Sequence, residues 1–189
     1  MLYWSTLRVK MLLTIVSCSY GKKLQVYGHV DCRVKTKDQL KFGDNVMLIS
    51  SRIINPLIRG DMIFECIESG EIYIGDNSGL SAVIISSRMK VSIGFNVAIG
   101  ANVQIFDHDF HSLDYLKRRK NKNESIKVAE IIIEDDVFIG CDAIILKGTH
   151  IGARSILGAG TVVSNMYIPP DSIVVGNPGK IIKNHNLSE

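Results

Sequence analysis

The sequence has little of what marks several common protein classes. Its 189 residues include only four cysteines, four prolines and one tryptophan. The cysteines form no CxxC pair and lie far apart, at positions 18, 32, 66 and 141. This spacing indicates neither a metal knot nor a redox pair, and reduced thiols in a cytosol fit it best. The small excess of basic over acidic residues, 22 against 19, is too weak to indicate nucleic acid or an acidic membrane as the main partner.

Long apolar runs are also missing. The run near the amino terminus, residues 11–16, has six residues, whereas a membrane span needs about 20. Two basic residues precede it, but no small-x-small cleavage site follows, so we interpret it as structure rather than as a signal peptide. A chain of this length buries roughly two thirds of the surface that its unfolded form exposes. We therefore expect one cytoplasmic domain that needs neither disulfides nor a structural metal.

A six-residue repeat is the strongest feature that the sequence does have. From Ile133 the chain reads IEDDVF, IGCDAI, ILKGTH, IGARSI and LGAGTV, and shorter copies begin at Phe42, Ile74, Ile93 and Ile99. Helical periodicity fails over the same region. Six residues suit a brief strand and a bend in which Gly, Asn or Asp tolerates positive φ. Stacked units of this kind predict an all-β parallel β-helix with the opening aliphatic residues inside.

These IGxxxx repeats, with the later GAGTVVS and IPPDSIVVGNPGKII, resemble the hexapeptide-repeat acyltransferases over roughly residues 24–183. The resemblance implies a left-handed parallel β-helix with three hexads per triangular coil, a homotrimer, and acetyl-CoA as co-substrate. We predict an N-terminal capping segment over residues 1–22, an acyltransferase domain over 23–183 and a tail over 184–189. The repeat lapses over 106–129, where we expect a projecting loop, and over 55–71, to which we assign no chemistry.

The sequence DHDFH in the first lapse is the candidate catalytic cluster. Acetyl transfer to a hydroxyl or amine needs a base, and imidazole titrates close to working pH. The resemblance places His108 at the position of the catalytic histidine of sugar-modifying members. Asp107, Asp109 or a backbone carbonyl would hold its other ring nitrogen, and the sequence does not choose among them. His111 is the second candidate for the base, or a residue that binds the acceptor.

A zinc site is the alternative interpretation of this cluster, because related β-helix proteins that resemble γ-class carbonic anhydrases bind zinc through three histidines. The two remaining histidines of the repeat region, His29 and His150, do not complete such a spacing. We therefore expect no metal.

The stretch SGLSAVIIS, residues 78–86, follows one of the repeats and is the candidate acceptor site. Small polar side chains beside a coil leave room for an acceptor. Polysaccharide-modifying relatives often carry Ser in a GxS setting, which Gly79-Leu80-Ser81 matches. Galactoside-type members have Asn near this place, so the resemblance favours Ser81 as an acceptor contact and weakens galactoside as the substrate. Serine is also an ordinary turn residue in hexads, which leaves a purely structural role open.

Donor binding is expected along the regular C-terminal coils. By resemblance, the backbone N–H groups of Cys141 and Ala159 face the thioester and oppose its developing negative charge. Phe138 stands where relatives often have Trp, as a wall for pantetheine. The residues expected near the coenzyme A nucleotide are Asn177, Pro178, Lys180 and Lys183. The thiol of Cys141 has no neighbour in sequence that would activate it, and the resemblance implies direct transfer, so we expect this thiol to be passive.

The leading hypothesis is a cytoplasmic enzyme that moves acetyl from acetyl-CoA to a sugar hydroxyl, in bacterial surface polysaccharide synthesis by resemblance. Two alternatives stay open: N-acetylation of an amino sugar, and a noncatalytic β-helix scaffold. The basic run KRRKNK, residues 117–122, lacks interleaved aromatics and so favours a solvated rim near an anionic substrate over a nucleic-acid site.

Overall fold

The computed structural model describes residues 2–15, 18–36, 38–120 and 126–184. A helix, α1, spans Leu2–Ile15, and its Val9 and Leu13 side chains are buried. This helix packs against the strands of the first coil. No helix of the described ranges is long and apolar enough to cross a membrane.

The rest of the described chain coils through three parallel sheets. Sheet 1 contains β1 (Ser19–Tyr20), β4 (Leu40–Phe42), β7 (Glu71–Ile74), β10 (Lys90–Ile93), β13 (Ile131–Ile133), β16 (His150–Ile151) and β19 (Tyr167–Ile168). Sheet 2 contains β2 (Gln25–Gly28), β5 (Met47–Ser50), β8 (Gly79–Ser81), β11 (Ala98–Ile99), β14 (Phe138–Ile139), β17 (Ile156–Leu157), β20 (Ser172–Val175) and the antiparallel β21 (Lys180–Asn184). Sheet 3 contains β3 (Val30–Arg33), β6 (Met62–Cys66), β9 (Ile84–Ser87), β12 (Gln104–Phe106), β15 (Ile144–Leu146) and β18 (Val162–Val163). Successive strands visit the sheets in the order 1, 2, 3, so the chain forms a three-sided solenoid.

The predicted column of aliphatic residues is confirmed. Six hexad-opening side chains in the C-terminal coils are at most 2% exposed: Ile133, Ile139, Ile145, Ile151, Leu157 and Val163. Small residues two positions earlier, such as Ala143, Ser155 and Thr161, also point inward and are buried. Each inward residue stacks on the residue one coil away, because the parallel strands pair in register. The core is therefore one continuous column along the solenoid.

Each corner of the solenoid turns on a residue with positive φ. Corner 1, from sheet 1 to sheet 2, uses residues such as Asn77 and Asp171, and corner 2, from sheet 2 to sheet 3, uses Asn102, Asp142 and Gly160. These are the Asn, Asp and Gly positions of the repeat, which accept the left-handed region at least cost. The longer of the two interruptions of the repeat lies at corner 3, from sheet 3 to sheet 1.

Two segments leave the regular coil. Residues 107–130, here called the corner-3 loop, separate β12 from β13 and contain a short helix, α2 (Tyr115–Arg119), capped by the Asp114 side chain. Residues 51–61, here called the arm, separate β5 from β6. The second lapse of the repeat, residues 55–71, contains the end of the arm and all of β6.

The stacking of coils at corner 2 predicts a strong effect of one substitution. A Cβ atom at Gly140 would lie 2.5 Å from the backbone nitrogen of Ala159 on the next coil. Gly140→Ala should therefore lower the free energy of unfolding by about 1–3 kcal/mol, measured by urea denaturation. Gly79→Ala on the same sheet is the matched control, because a Cβ there meets no heavy atom within 4 Å. Equal stability of the two variants would contradict this account of coil spacing.

Candidate active site

His108 lies immediately beyond β12, where the corner-3 loop leaves sheet 3. An antiparallel bridge to Val128 fixes the start of this loop against its end. Two backbone hydrogen bonds flank the bridge, from Asp109 N to Lys127 O and from Ala129 N to Asp107 O. The backbone of His108 is thus held although it lies outside the regular strands.

His108 is 4% exposed, and its imidazole contacts the Ser86 side chain of the preceding coil. Its Nε2 atom is 3.1 Å from Ser86 Oγ, and Ser86 Oγ donates to Glu65 Oε2 at 2.7 Å. Among the described residues, no group hydrogen-bonds to His108 Nδ1, which is buried. The ring of Phe110, a half-exposed residue, meets the imidazole at a centroid distance of 4.6 Å. The ring is therefore held at one nitrogen and unpartnered at the other.

Strand register brings Glu65 and Ser86 to this histidine. Glu65 pairs with Ser86, and Ser86 pairs with Phe106, on β6, β9 and β12. Side chains of paired residues in parallel strands lie on the same face, and the neighbours Phe64, Ile85 and Ile105 point into the core. The outer face of sheet 3 thus carries a row formed by Glu65, Ser86 and Phe106. His108 lies two residues beyond Phe106 along the chain.

Asp107 holds backbone rather than the histidine. This fully buried carboxylate accepts hydrogen bonds from Ser87 Oγ, Arg88 N and Met89 N, at 2.7 to 2.9 Å. These partners form the turn between β9 and β10. Asp107 therefore fixes the end of the strand that carries Ser86.

The side chains of Asp109 and His111 have surroundings that differ from those of His108. Asp109 accepts a short hydrogen bond from the ammonium group of Lys147, in the turn after β15. Within the described residues, neither Asp107 nor Asp109 contacts a nitrogen of the His108 ring, so the structure does not bring either predicted partner to the base. His111 lies three residues beyond His108 and is exposed.

Ser86 and Glu65 are the residues that sequence reasoning missed. Ser81, the predicted acceptor contact, lies on β8 in sheet 2 and pairs with Ile49, away from the imidazole. The stretch that contains Ser81 also contains Ser86, which contacts the imidazole. The sequence spacing does not reveal the pairing of Ser86 with Phe106, because these residues are 20 positions apart. In the regular C-terminal coils, paired residues such as Ile132 and His150 are 18 positions apart.

The predicted donor residues lie at corner 2 and at the C-terminal hairpin. Phe138 is half exposed on the outer face of sheet 2, and Cys141 and Ala159 occupy equivalent corner positions on successive coils. The backbone N–H groups of Cys141 and Ala159 donate to no acceptor among the described residues, although their neighbours Gly140, Asp142 and Gly160 all donate to the adjacent coil. These two N–H groups are therefore available to a ligand.

The remaining donor candidates follow β20. Asn177 and Pro178 are exposed in the turn between β20 and β21, and Lys180 is exposed at the start of β21. Gly179 N donates to Val162 O, which ties this turn to the last strand of sheet 3. Lys183 lies in β21, and the position of its side chain is outside the description.

A pocket of about 290 Å³ lies between the arm and the outer face of sheet 3. Its lining includes Arg59, Asp61, Ile84, Asn102, Gln104 and Asp142. The arm is fastened there, since Arg59 Nη2 is 2.7 Å from Asp142 Oδ2 and Ile58 is buried against Ala82 and Ala101. Ile84 and Gln104 precede Ser86 and Phe106 by two positions on the same strands and face. The pocket is therefore one row of side chains away from the Ser86–His108 contact.

Burial also affects two of the cysteine thiols. Burial raises the pKa of the Cys32 and Cys66 thiols to about 12, which keeps both protonated at neutral pH. In the part of the chain that the structure describes, no group of three or more His, Cys, Asp or Glu side chains is arranged to hold a metal ion.

Comparisons with known proteins support the hexapeptide repeat and the parallel β-helix. The family model of the bacterial transferase hexapeptide, six repeats, matches residues 130–165. A Schizosaccharomyces pombe protein named as an acetyltransferase is 42% identical over 94 residues, 49% of this chain and 42% of its own length. The matched region thus spans less than half of that relative.

Two further proteins are similar over most of the chain. WbbJ of Escherichia coli, named for O-acetyl transfer in lipopolysaccharide biosynthesis, is 27% identical over 82% of this chain and 76% of its own length. The hexapeptide-repeat acetyltransferase VCA0836 of Vibrio cholerae, solved with acetyl coenzyme A, superposes with a TM-score of 0.59 and 26% identity. That superposition covers 95% of this chain and 76% of the other. These findings confirm the resemblance of the chain to the hexapeptide-repeat acyltransferases, whose sugar-modifying members are among its relatives.

Proposed function

We propose that this protein transfers an acetyl group from acetyl-CoA to a hydroxyl of a sugar, with His108 as the general base. The observation that carries the proposal is the buried imidazole, which Ser86 holds at one nitrogen and which is unpartnered at the other among the described residues. An imidazole held in this way, one row of side chains from a pocket, suits proton abstraction from a bound hydroxyl. The alternative from another class, a noncatalytic scaffold, has no use for such an arrangement.

The proposed reaction is a direct attack. Acetyl-CoA supplies an activated acyl group as a thioester. His108 removes the proton of the acceptor hydroxyl as its oxygen bonds to the carbonyl carbon, and returns that proton to the sulfur when the C–S bond breaks. The thiol of Cys141 is not needed as a nucleophile in this scheme.

Support for acetyl-CoA as the acyl donor comes from corner 2. The unused N–H groups of Cys141 and Ala159 are fixed by the coil, so they can oppose negative charge on the thioester oxygen without reorganisation. The exposed ring of Phe138 is proposed to flank the pantetheine arm. The exposed turn at Asn177 and Pro178, with the cations of Lys180 and Lys183 beyond it, is proposed to meet the nucleotide.

Support for a sugar acceptor comes from the pocket beside the arm. Its volume of about 290 Å³ lies at the low end for ligand sites, which suits one sugar ring better than a larger molecule. Amide, carboxylate and guanidinium groups line it, and these hydrogen-bond to hydroxyls. His111 and Ser81 are retained as outer acceptor contacts of the same proposal. N-acetylation of an amino sugar uses the same base and donor, and acceptor profiling would distinguish it.

The wider setting is proposed on the same resemblance. The relative WbbJ is named for lipopolysaccharide biosynthesis, and we propose a related role in bacterial surface polysaccharide synthesis, in the cytoplasm. The left-handed sense of the coil, the capping role of α1 and the projection of the corner-3 loop belong to this proposal.

A homotrimer would explain why base and donor groups are separated in one chain. The strands of sheet 3 run from corner 2 to corner 3, so His108 and the free N–H groups lie at opposite edges of that sheet. Three strand residues alone span roughly 10 Å, whereas reacting atoms must approach to about 3–3.5 Å. We propose that one subunit supplies His108 and that its neighbour supplies corner 2.

His108→Ala should lower kcat for acetyl transfer by about 10²- to 10⁴-fold, because loss of a general base removes that much acceleration. The measurement is release of the coenzyme A thiol in the presence of a panel of mono- and disaccharides. His111→Ala is the matched control, and a smaller loss, mainly in the KM for the acceptor, is expected. Equal residual turnover of the two variants would refute the choice of His108.

Ala159→Pro should weaken acetyl-CoA binding about five- to tenfold, because it removes one hydrogen-bond donor worth about 1 kcal/mol. The turn at Ala159 tolerates proline, since its next residue, Gly160, has φ 69° and the chain already uses Pro170 before Asp171 at φ 61°. Isothermal titration with acetyl-CoA measures the effect without any acceptor. Ala159→Ser retains the N–H group and should bind normally. Unchanged affinity in the proline variant would remove this N–H group from the donor site.

Mixed assemblies test the shared site. Subunits carrying His108→Ala and subunits carrying Ala159→Pro, co-expressed with different tags and purified through both, should have a kcat/KM for acetyl-CoA above that of either variant alone. Each trimer that carries both tags has both groups intact in about a third of its shared sites, because only one of its three interfaces joins an intact His108 to an intact Ala159. No recovery, with trimers shown by light scattering, would place base and donor groups in the same subunit's site.

A further inference from the structure

The side chains of Glu65, Ser86 and His108 form a connected line of hydrogen bonds across three coils. We propose that Glu65 and Ser86 fix the tautomer of His108, so that Nε2 carries the proton and Nδ1 is the basic nitrogen. Both are positioning residues, because they act through the imidazole. The tautomer is a property of the protein alone, and its catalytic consequence rests on the proposed function.

The direction of each proton follows from the donor inventory. A carboxylate oxygen only accepts, so in the 2.7 Å contact the single hydroxyl proton of Ser86 goes to Glu65. Ser86 Oγ then has only lone pairs to offer His108, and the 3.1 Å contact requires a proton on Nε2. A neutral imidazole protonated at Nε2 has its lone pair at Nδ1.

The surroundings stabilise this arrangement against the alternatives. Rotating the ring by half a turn would place a carbon atom against Ser86 Oγ and lose the hydrogen bond. Ser86 is 2% exposed, so water does not readily replace either of its partners. Arg33 lies beside Glu65, with its Nη1 atom 3.7 Å from Glu65 Oε1.

The unpartnered nitrogen is the place for the acceptor. His108 Nδ1 has no hydrogen-bonding group among the described residues and is screened from solvent. A buried acceptor atom without a donor is unfavourable, and a substrate hydroxyl would satisfy it. Phe110 packs on the ring and is half exposed, so its rotation is the movement we expect to admit the acceptor.

This assignment specifies the proton path. The acceptor O–H bond breaks as its proton joins Nδ1, and the oxygen bonds to the acetyl carbon. The resulting imidazolium keeps Nε2–H on Ser86, and Ser86 remains bonded to Glu65. The Nδ1 proton then passes to the departing sulfur, which leaves as the coenzyme A thiol.

The test is nuclear magnetic resonance of the full chain with ¹⁵N-labelled histidine, at a pH high enough to keep the ring neutral. His108→Ala assigns the signals of this residue among the five histidines. The wild type should show a protonated Nε2 and an unprotonated Nδ1. Glu65→Ala frees the Ser86 hydroxyl to donate to Nε2 as well as to accept from it, so the population of the form protonated at Nδ1 should rise. Ser86→Ala should give a mixture of tautomers, Ser86→Thr should restore the wild-type pattern, and Ser78→Ala, a buried serine at corner 1, should change nothing.

A wild-type ring protonated at Nδ1, or a tautomer unchanged in Glu65→Ala, would overturn the proposal. Folding of each variant is checked by the dispersion of the same spectra, and Ser86→Thr gives a second reading if Glu65→Ala unfolds. In turnover, Glu65→Ala should lower kcat about tenfold or more with little change in KM for acetyl-CoA. The expected tautomer pattern without acetyl transfer to any sugar would sustain the positioning role and refute the proposed function instead.

Discussion

Register between stacked coils is the constraint on which the rest of this structure depends. Parallel strands about 4.8 Å apart place each outward residue beside one residue of the coil before and one of the coil after. The inward column, with side chains such as Ile139, Ile145 and Ile151, allows no slip, because a shift of one position would expose the apolar side chains. Every outward row, including the row of Glu65 and Ser86, is therefore fixed by the packing of residues on the opposite face.

The candidate site uses a local departure from that regularity. The coil between Ser86 and Phe106 is longer than the regular C-terminal coils, and the extra residues form the turn at Arg88 and Met89. Asp107 holds this turn through two backbone N–H groups, and His108 follows it directly. The Asp107 carboxylate thus links the conformation of this longer turn to the position of His108. The DHDFH cluster therefore contains a structural aspartate, Asp107, and a candidate catalytic histidine, His108.

The fold could be predicted from the sequence to a useful depth, because the period of six specifies both the inward column and the turn residues. The hexads after Ile133 predicted parallel stacking, and Asn and Asp at the corners adopt the expected positive φ. The neighbours of His108 could not be predicted in the same way. Ser86 and Glu65 reach it through a coil of irregular length, and sequence spacing gives cross-coil neighbours only where the period is kept. The pocket beside the arm depends on a long-range contact between Arg59 and Asp142, which has no local signal.

The solenoid separates the proposed base from the backbone N–H groups of corner 2, although the proposed reaction needs both at one site. Corner positions such as Ala159 present backbone N–H groups because the turn removes them from the ladder, whereas the base comes from the interrupted corner at the other edge of sheet 3. A rigid solenoid cannot bend to bring its own corners together, since the filled core and the paired strands resist it. Catalysis on such a scaffold is therefore best served by the approach of a second solenoid. The proposed association of copies would then complete the active site, with the irregular loop of one copy facing the regular coils of another.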